Sequence, residues 1–116
     1  MTIKRIDVGP RMSQAVIHNG IVYLAGQVAP TKAGGTVREQ TSDILERIDS
    51  LLAQAGTDKS RLLTANIWLA DISTFSEMNS VWDAWVAEDC TPARATVEAK
   101  LAAPEYTVEI MVTAAL

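Results

Sequence analysis

One cysteine, Cys90, and one histidine, His18, are all that the chain holds of the two side chains that most often build metal cages. An intrachain disulfide, a Cys-rich zinc site and a multi-His centre are therefore excluded. Positive charge is scarce as well. Ten Lys and Arg face fourteen Asp and Glu, a formal net charge of −4. The basic footprint that nucleic-acid binding requires is missing. No apolar run approaches the roughly 20 residues of a membrane-spanning helix. The opening segment, residues 1–7, has neither a long apolar stretch nor a small-residue cleavage site. The expectation is a soluble, cytoplasmic protein with no membrane or nucleic-acid partner, whose chemistry uses neither a metal nor a thiol pair.

What is present is apolar and regularly spaced. The 116 residues are 48 % hydrophobic and 21 % charged, which excludes a disordered chain and predicts one domain over residues 1–116. Ala15-Val16-Ile17-His18, then Asn19-Gly20, then Ile21-Val22-Tyr23-Leu24 predicts a β-hairpin, because Asn-Gly tolerates the positive φ of a type I′ turn. Thr36 to Ala55 predicts an amphipathic helix. Ile44, Ile48, Leu51, Leu52 and Ala55 share one face, Thr36 and Glu39 form a capping box, and Gly56 follows as a terminator. Leu62 to Ala70 predicts a strand. Phe75 to Ala87 predicts a second helix with Phe75, Met78, Trp82, Trp85 and Val86 at helical spacing, opened by a Thr74–Glu77 capping box. Arg94–Leu101 and Tyr106–Ala115 predict two further strands joined by residues 102–105. The order ββ(β)αβαββ is that of an α+β domain with two helices on one face of a sheet. The other face is left uncovered, and a mean hydropathy of +0.12 predicts that it packs against further subunits.

The last two strands carry the positional argument for a site. If residues 102–105 close a regular antiparallel pair, the small apolar set Ala93, Ala95 and Val97 suits the helix-covered face. Arg94 and Glu109 then share the opposite face, with Cβ atoms ~4.5–5.5 Å apart. The bland interpretation is a surface salt bridge worth ~0–1 kcal/mol. The chemical one is a planar arginine fork for an anion, with a carboxylate beside it to handle a proton or a water.

Several motifs add to this pattern. Gly26-Gln27 follows the hairpin, Asp71 with Phe75 and Asn79 leads into the second helix, and Thr91-Pro92-Ala93-Arg94 precedes Val108-Glu109-Ile110 by some fifteen residues. From Met12-Ser13-Gln14-Ala15 to the end, the chain resembles the RidA (YjgF-type) family. The resemblance implies a chorismate-mutase-like subunit with a mixed, mostly antiparallel sheet, assembled as a homotrimer with ligand clefts between subunits. It also implies cofactor-free hydrolysis of reactive 2-imino or 2-enamino acids to 2-keto acids and ammonia. By the same resemblance Arg94 binds the substrate carboxylate and Glu109 positions or activates water. Gly26, Asn79, Thr96 and Met12 fall at positions that line the cleft.

The chain departs from the family pattern at three cleft positions. Met12 stands where a tyrosine is usual, Ala25 where a serine is common, and Thr96 where a cysteine is common. These losses point to a divergent paralogue and keep an alternative open, a non-catalytic module that binds small carboxylates such as 2-keto acids. A ribonuclease is disfavoured by the acidic charge and the lone histidine. Other candidates have plain structural explanations. Arg11 is a solvated loop cation, His18 sits exposed at a turn, and acidic Glu88 and Asp89 would raise the Cys90 thiol rather than activate it. Trp82 and Trp85 are assigned to the core and an interface. Trp68 lies on a mixed strand face, and Glu98 and Lys100 are ordinary face residues.

Overall fold

A computed structural model describes residues 2–116. Its strands are β1 (Lys4–Val8), β2 (Ser13–His18), β3 (Ile21–Leu24), β4 (Leu62–Leu69), β5 (Ala93–Glu98) and β6 (Val108–Ala115), and its two α-helices are α1 (Val37–Ala55) and α2 (Phe75–Trp85). The strands form one mixed sheet in the order β1-β2-β3-β6-β4-β5. Both helices pack their apolar residues with one face of that sheet into a single core. No helix among the described residues is long and apolar enough to cross a membrane.

Local chemistry sets most boundaries. Asn19 and Gly20 adopt φ 52° and 75°, which turns β2 back onto β3. The Thr36 hydroxyl accepts from the Glu39 backbone N–H while the Glu39 carboxylate accepts from the Thr36 N–H. Gly56 ends α1 at φ 90°, a left-handed conformation costly for any residue with a Cβ. The Thr74–Glu77 box does not form. Thr74 donates its hydroxyl to the Asp71 carbonyl, and the Asp71 carboxylate caps a short turn at Ser73 that leads into α2. β1, which the hydrophobic pattern did not mark, is a mostly exposed edge strand rich in charge, as edges that avoid aggregation are.

The expected hairpin of the last two strands is not present. β6 pairs antiparallel with β4, and β5 pairs parallel with the other edge of β4. β4, α2 and β5 thus make a βαβ crossover, and β6 enters the sheet between β3 and β4. Residues 99–107 then carry the chain across β4 from one edge to the other, a longer path than residues 102–105 could span.

One buried amide holds this connection in place. Gln40 in α1 is 0 % exposed. Its Nε2 donates to the Glu105 carbonyl at 2.9 Å and the Gly35 carbonyl at 3.2 Å, and its Oε1 accepts from the Thr107 N–H at 2.9 Å. The side chain clamps the start of α1 to the loop that delivers β6. Gln40→Leu leaves the Thr107 N–H with no partner, at about 1–3 kcal/mol per orphaned buried group. The variant is expected to lose about 3 kcal/mol of stability in urea titration. A loss below about 0.5 kcal/mol, the scale of a neutral surface change, would show that the clamp contributes nothing.

Candidate functional site

The register decides where each candidate side chain points. Ala65 of β4 is the common neighbour of Arg94 and Val112, and both Ala65 and Val112 are buried under the helices. Trp68 is the common neighbour of Val97 and Glu109, and Val97 is exposed on the other face. Arg94 therefore faces the helix layer and Glu109 the open side. The expected adjacency of the two is overturned, and so is the assignment of Ala93, Ala95 and Val97 to the core. The cause is the strand order. With β4 between them, β5 and β6 take their parity from β4 and not from each other.

Arg94 lies in a cage that α2 builds. Its Nη1 donates to Asn79 Oδ1 at 2.8 Å. Its guanidinium carbon lies 5.3 Å from the centroid of the Trp82 ring and 5.8 Å from that of Phe75, within cation–π range. Phe75, Asn79 and Trp82 recur at i, i+4 and i+7, so one stripe of α2 supplies all three contacts. Trp82 is 4 % exposed and backs the cage. Among the described residues no carboxylate comes within ion-pair distance of Arg94. Asn79, expected at the cleft, accepts from the arginine. Trp82, expected in the core, also faces the guanidinium, and Phe75 joins it from the Asp71–Phe75–Asn79 motif. An asparagine set into an apolar helical stripe was the signal that this face meets something polar.

Thr96, two residues along β5, shares the face of Arg94, and its Oγ1 is buried with no hydrogen-bond partner. Glu98 accepts from the Ile72 N–H at 3.0 Å, so it braces the turn before α2. Trp85 packs on Trp82 with centroids 5.4 Å apart and donates its indole N–H to Asp49. His18, expected to be exposed, is half-buried, and its Nδ1 is enclosed without a partner. Cys90 is half-buried.

Glu109 stands in a different setting. Its carboxylate lies over Gly26, where a Cβ would collide with the carboxyl group and come within 3.4 Å of Cγ. Gly26 is thus needed for the room its missing side chain leaves. Burial pushes the Glu109 carboxyl above the usual glutamate range. A hollow of about 230 Å³ opens there between Glu109, Trp68, Lys100 and the loop after β5. A larger groove, about 710 Å³, runs past Glu98, Lys100 and Tyr106 and is lined by neither Glu109 nor Arg94. Met12 is exposed, 47 %, in the loop between β1 and β2, at the opposite end of the sheet from the β5 strand that carries Arg94.

These pieces match a known group of proteins. Residues 2–116 fit the family model described as Endoribonuclease L-PSP. The chain is 49 % identical over 114 residues to a RutC family protein of Haemophilus ducreyi, covering 98 % of this chain and 97 % of that one. It is 45 % identical over 116 residues to a RutC family protein of Escherichia coli strain K12, covering 100 % of both. A solved YjgF family protein from Neisseria meningitidis shares 50 % identity and a TM-score of 0.95, over 99 % of this chain and 95 % of that one. A solved structure from Salmonella typhimurium, titled a putative translation initiation inhibitor, aligns at 42 % identity with a TM-score of 0.90, over 99 % of this chain and 98 % of that one. With its whole described length matched and relatives near half identical from end to end, the chain belongs to the L-PSP family, the group that includes YjgF and RutC proteins.

Proposed function

We propose that the protein hydrolyses reactive 2-imino and 2-enamino acids to 2-keto acids and ammonia. The observation that carries this reading is Arg94, a guanidinium held on three sides by neutral partners with no counter-ion of its own. Such a group is set to take a carboxylate on its remaining edge by charge-assisted hydrogen bonds. Glu109 supplies the second half. Its raised pKa brings a carboxylate base nearer to neutral pH, where a proton acceptor works best.

In the proposed reaction Arg94 fixes the substrate carboxylate and so orients the protonated C=N carbon. Glu109 takes a proton from water as the water oxygen bonds to that carbon, forming a carbinolamine. The proton passes to the nitrogen, the C–N bond breaks, and ammonia leaves. The carbinolamine hydroxyl proton is lost as the keto group forms. No redox step and no covalent enzyme intermediate is needed.

Arg94 and Glu109 of one chain lie on opposite faces of the sheet, with β4 between them. A cleft that uses both is therefore built from two chains, with Glu109 of one copy brought to Arg94 of the next. This supports a homotrimer with its clefts between subunits. The open sheet face, with Tyr23 and Val97 about half exposed, is the surface for that assembly. The second reading, a binding module for small carboxylates, is favoured by the apolar Met12 and by Thr96, whose hydroxyl is enclosed without a hydrogen-bond partner. The family description names an endoribonuclease, but a net charge of −4 opposes an RNA substrate.

Three outcomes test the proposal. An amino-acid oxidase generates the imine, and semicarbazide traps what is not hydrolysed. Wild-type protein is expected to suppress semicarbazone formation, and Arg94→Ala and Arg94→Lys to lose about a hundredfold in kcat/KM, the worth of two charge-assisted hydrogen bonds. Trapping that is indifferent to the wild-type protein would leave only the binding module. The acid limb of the rate profile is expected above the ordinary glutamate value of about 4.3, because activity is lost as pH falls through the raised Glu109 pKa. Glu109→Gln should remove that limb and lower kcat by about 10²–10⁴-fold. An unchanged limb in the variant assigns it to another group. Finally, Arg94→Ala and Glu109→Gln subunits, unfolded and refolded together, should recover activity that neither has alone. No recovery would overturn a site that joins Arg94 of one chain to Glu109 of another.

A further inference from the structure

A polar hollow of about 280 Å³ opens between α1 and the strands β1 and β2, toward the other edge of the sheet from Arg94. Every residue that lines it except Leu51 is polar or charged. Gln27, on its floor, is 5 % exposed. Its Nε2 donates to Gln14 Oε1 at 2.9 Å and to the Ala25 carbonyl at 3.0 Å, while its Oε1 has no partner among the described residues. A buried amide oxygen without a donor is costly, and native structures keep few of them. Arg47, on the helix wall, is also incompletely used. Its Nε donates to Asp43 at 3.3 Å, and neither Nη group has a partner among the described residues. Asp7, on the strand wall, holds φ 51°, a left-handed conformation that few residues other than glycine adopt. Asp7 and Arg47 form no ion pair with each other. One carboxylate and one guanidinium thus line one small space, with neutral amides beside them.

We propose that this hollow binds a free α-amino acid as its zwitterion, with the carboxylate on the Arg47 Nη groups and the ammonium on Asp7 and Gln27 Oε1. The set of donors and acceptors decides the class of ligand. A lone anion gains Arg47 but meets Asp7 and Asp43. A lone cation gains Asp7 but meets Arg47. A zwitterion satisfies both charges by charge-assisted hydrogen bonds and supplies the donor that Gln27 lacks. Size points the same way. The hollow falls just under the ~300 Å³ at which pockets for drug-sized ligands begin, so it suits an amino acid and is too small for a nucleotide. The inference is independent of the reading of Arg94, because the hollow shares no residue with that cage.

Side-chain amide signals in nitrogen-edited NMR spectra read the two places separately. Gln14, Gln27 and Gln54 report the hollow, and Asn79 reports the cage around Arg94. The probe is L-serine, compared with 3-hydroxypropanoate, which lacks the ammonium, and ethanolamine, which lacks the carboxylate. Serine is expected to move the three glutamine amides, and to move them in Arg94→Ala as well. Each truncated probe should bind about tenfold more weakly, the worth of one charge-assisted hydrogen bond. Asp7→Asn and Arg47→Gln should each weaken serine by about the same factor. Asparagine takes a left-handed backbone as readily as aspartate, and glutamine is a good helix former, so both variants keep the fold. Serine that moves Asn79 alone, or whose binding Arg94→Ala abolishes, sits in the cage and overturns the proposal. Affinity for 3-hydroxypropanoate equal to that for serine makes the hollow an anion site, and equal affinity for ethanolamine makes it a cation site. Either result overturns the zwitterion. Serine binding undiminished in Asp7→Asn or in Arg47→Gln, or glutamine amides that stay still at millimolar serine, overturns the site itself.

Discussion

β4 hydrogen-bonds along both edges, antiparallel to β6 and parallel to β5, and the side chains of all three strands take their faces from that register. The pleat allows no compromise, because a strand residue points up or down and its partners across the ladder point the same way. Ala65 sends Arg94 toward α2, and Trp68 sends Glu109 to the open face. The rest of the site follows. The helix layer must supply partners for a guanidinium, and the open face must make room for a carboxylate. It does so with Asn79, Phe75 and Trp82 on one side and with a missing Cβ at Gly26 on the other.

The two groups are unsatisfied in complementary ways. Among the described residues Arg94 has a carbonyl oxygen and two π faces but no anion. Glu109 has lost part of its hydration, and burial is what raises its pKa. Charges kept this way cost stability in an isolated fold, and they persist where another molecule completes them. By contrast Gln40, fully buried and purely structural, uses both its amide nitrogen and its oxygen within the chain. The contrast separates a polar group satisfied within the chain from two that are left incompletely satisfied by it.

Elements with local signals were legible in the sequence. Asn19-Gly20 marks its own turn, and the Thr36–Glu39 box and Gly56 bracket α1 within a residue of the observed ends. The α+β class and the two-helix layer followed from periodicity. Strand pairing did not, because it is decided between distant segments. The alternation in residues 93–98 shows two sets but not which set faces the core. On an edge strand both sets are partly exposed, so the small apolar Ala93, Ala95 and Val97 passed for the core face. The Thr74–Glu77 box failed for a local reason that was visible but unweighed: Asp71, three residues earlier, is a better cap and claims the turn first.

β6 is the last strand in sequence, and it lies between β3 and β4. Until it arrives, the sheet exists only as two separate halves, β1-β2-β3 and β4-β5, each with a bare edge. A chain emerging from the ribosome cannot join them early, whatever the local stability of its hairpin and helices. The closing contacts, such as Tyr23 with Thr113, span most of the polypeptide, which raises contact order and slows folding. During that interval the inner edges of β3 and β4 are open to any other strand. The two halves thus stand apart from the completion of β5 at Glu98 until Val108 has docked.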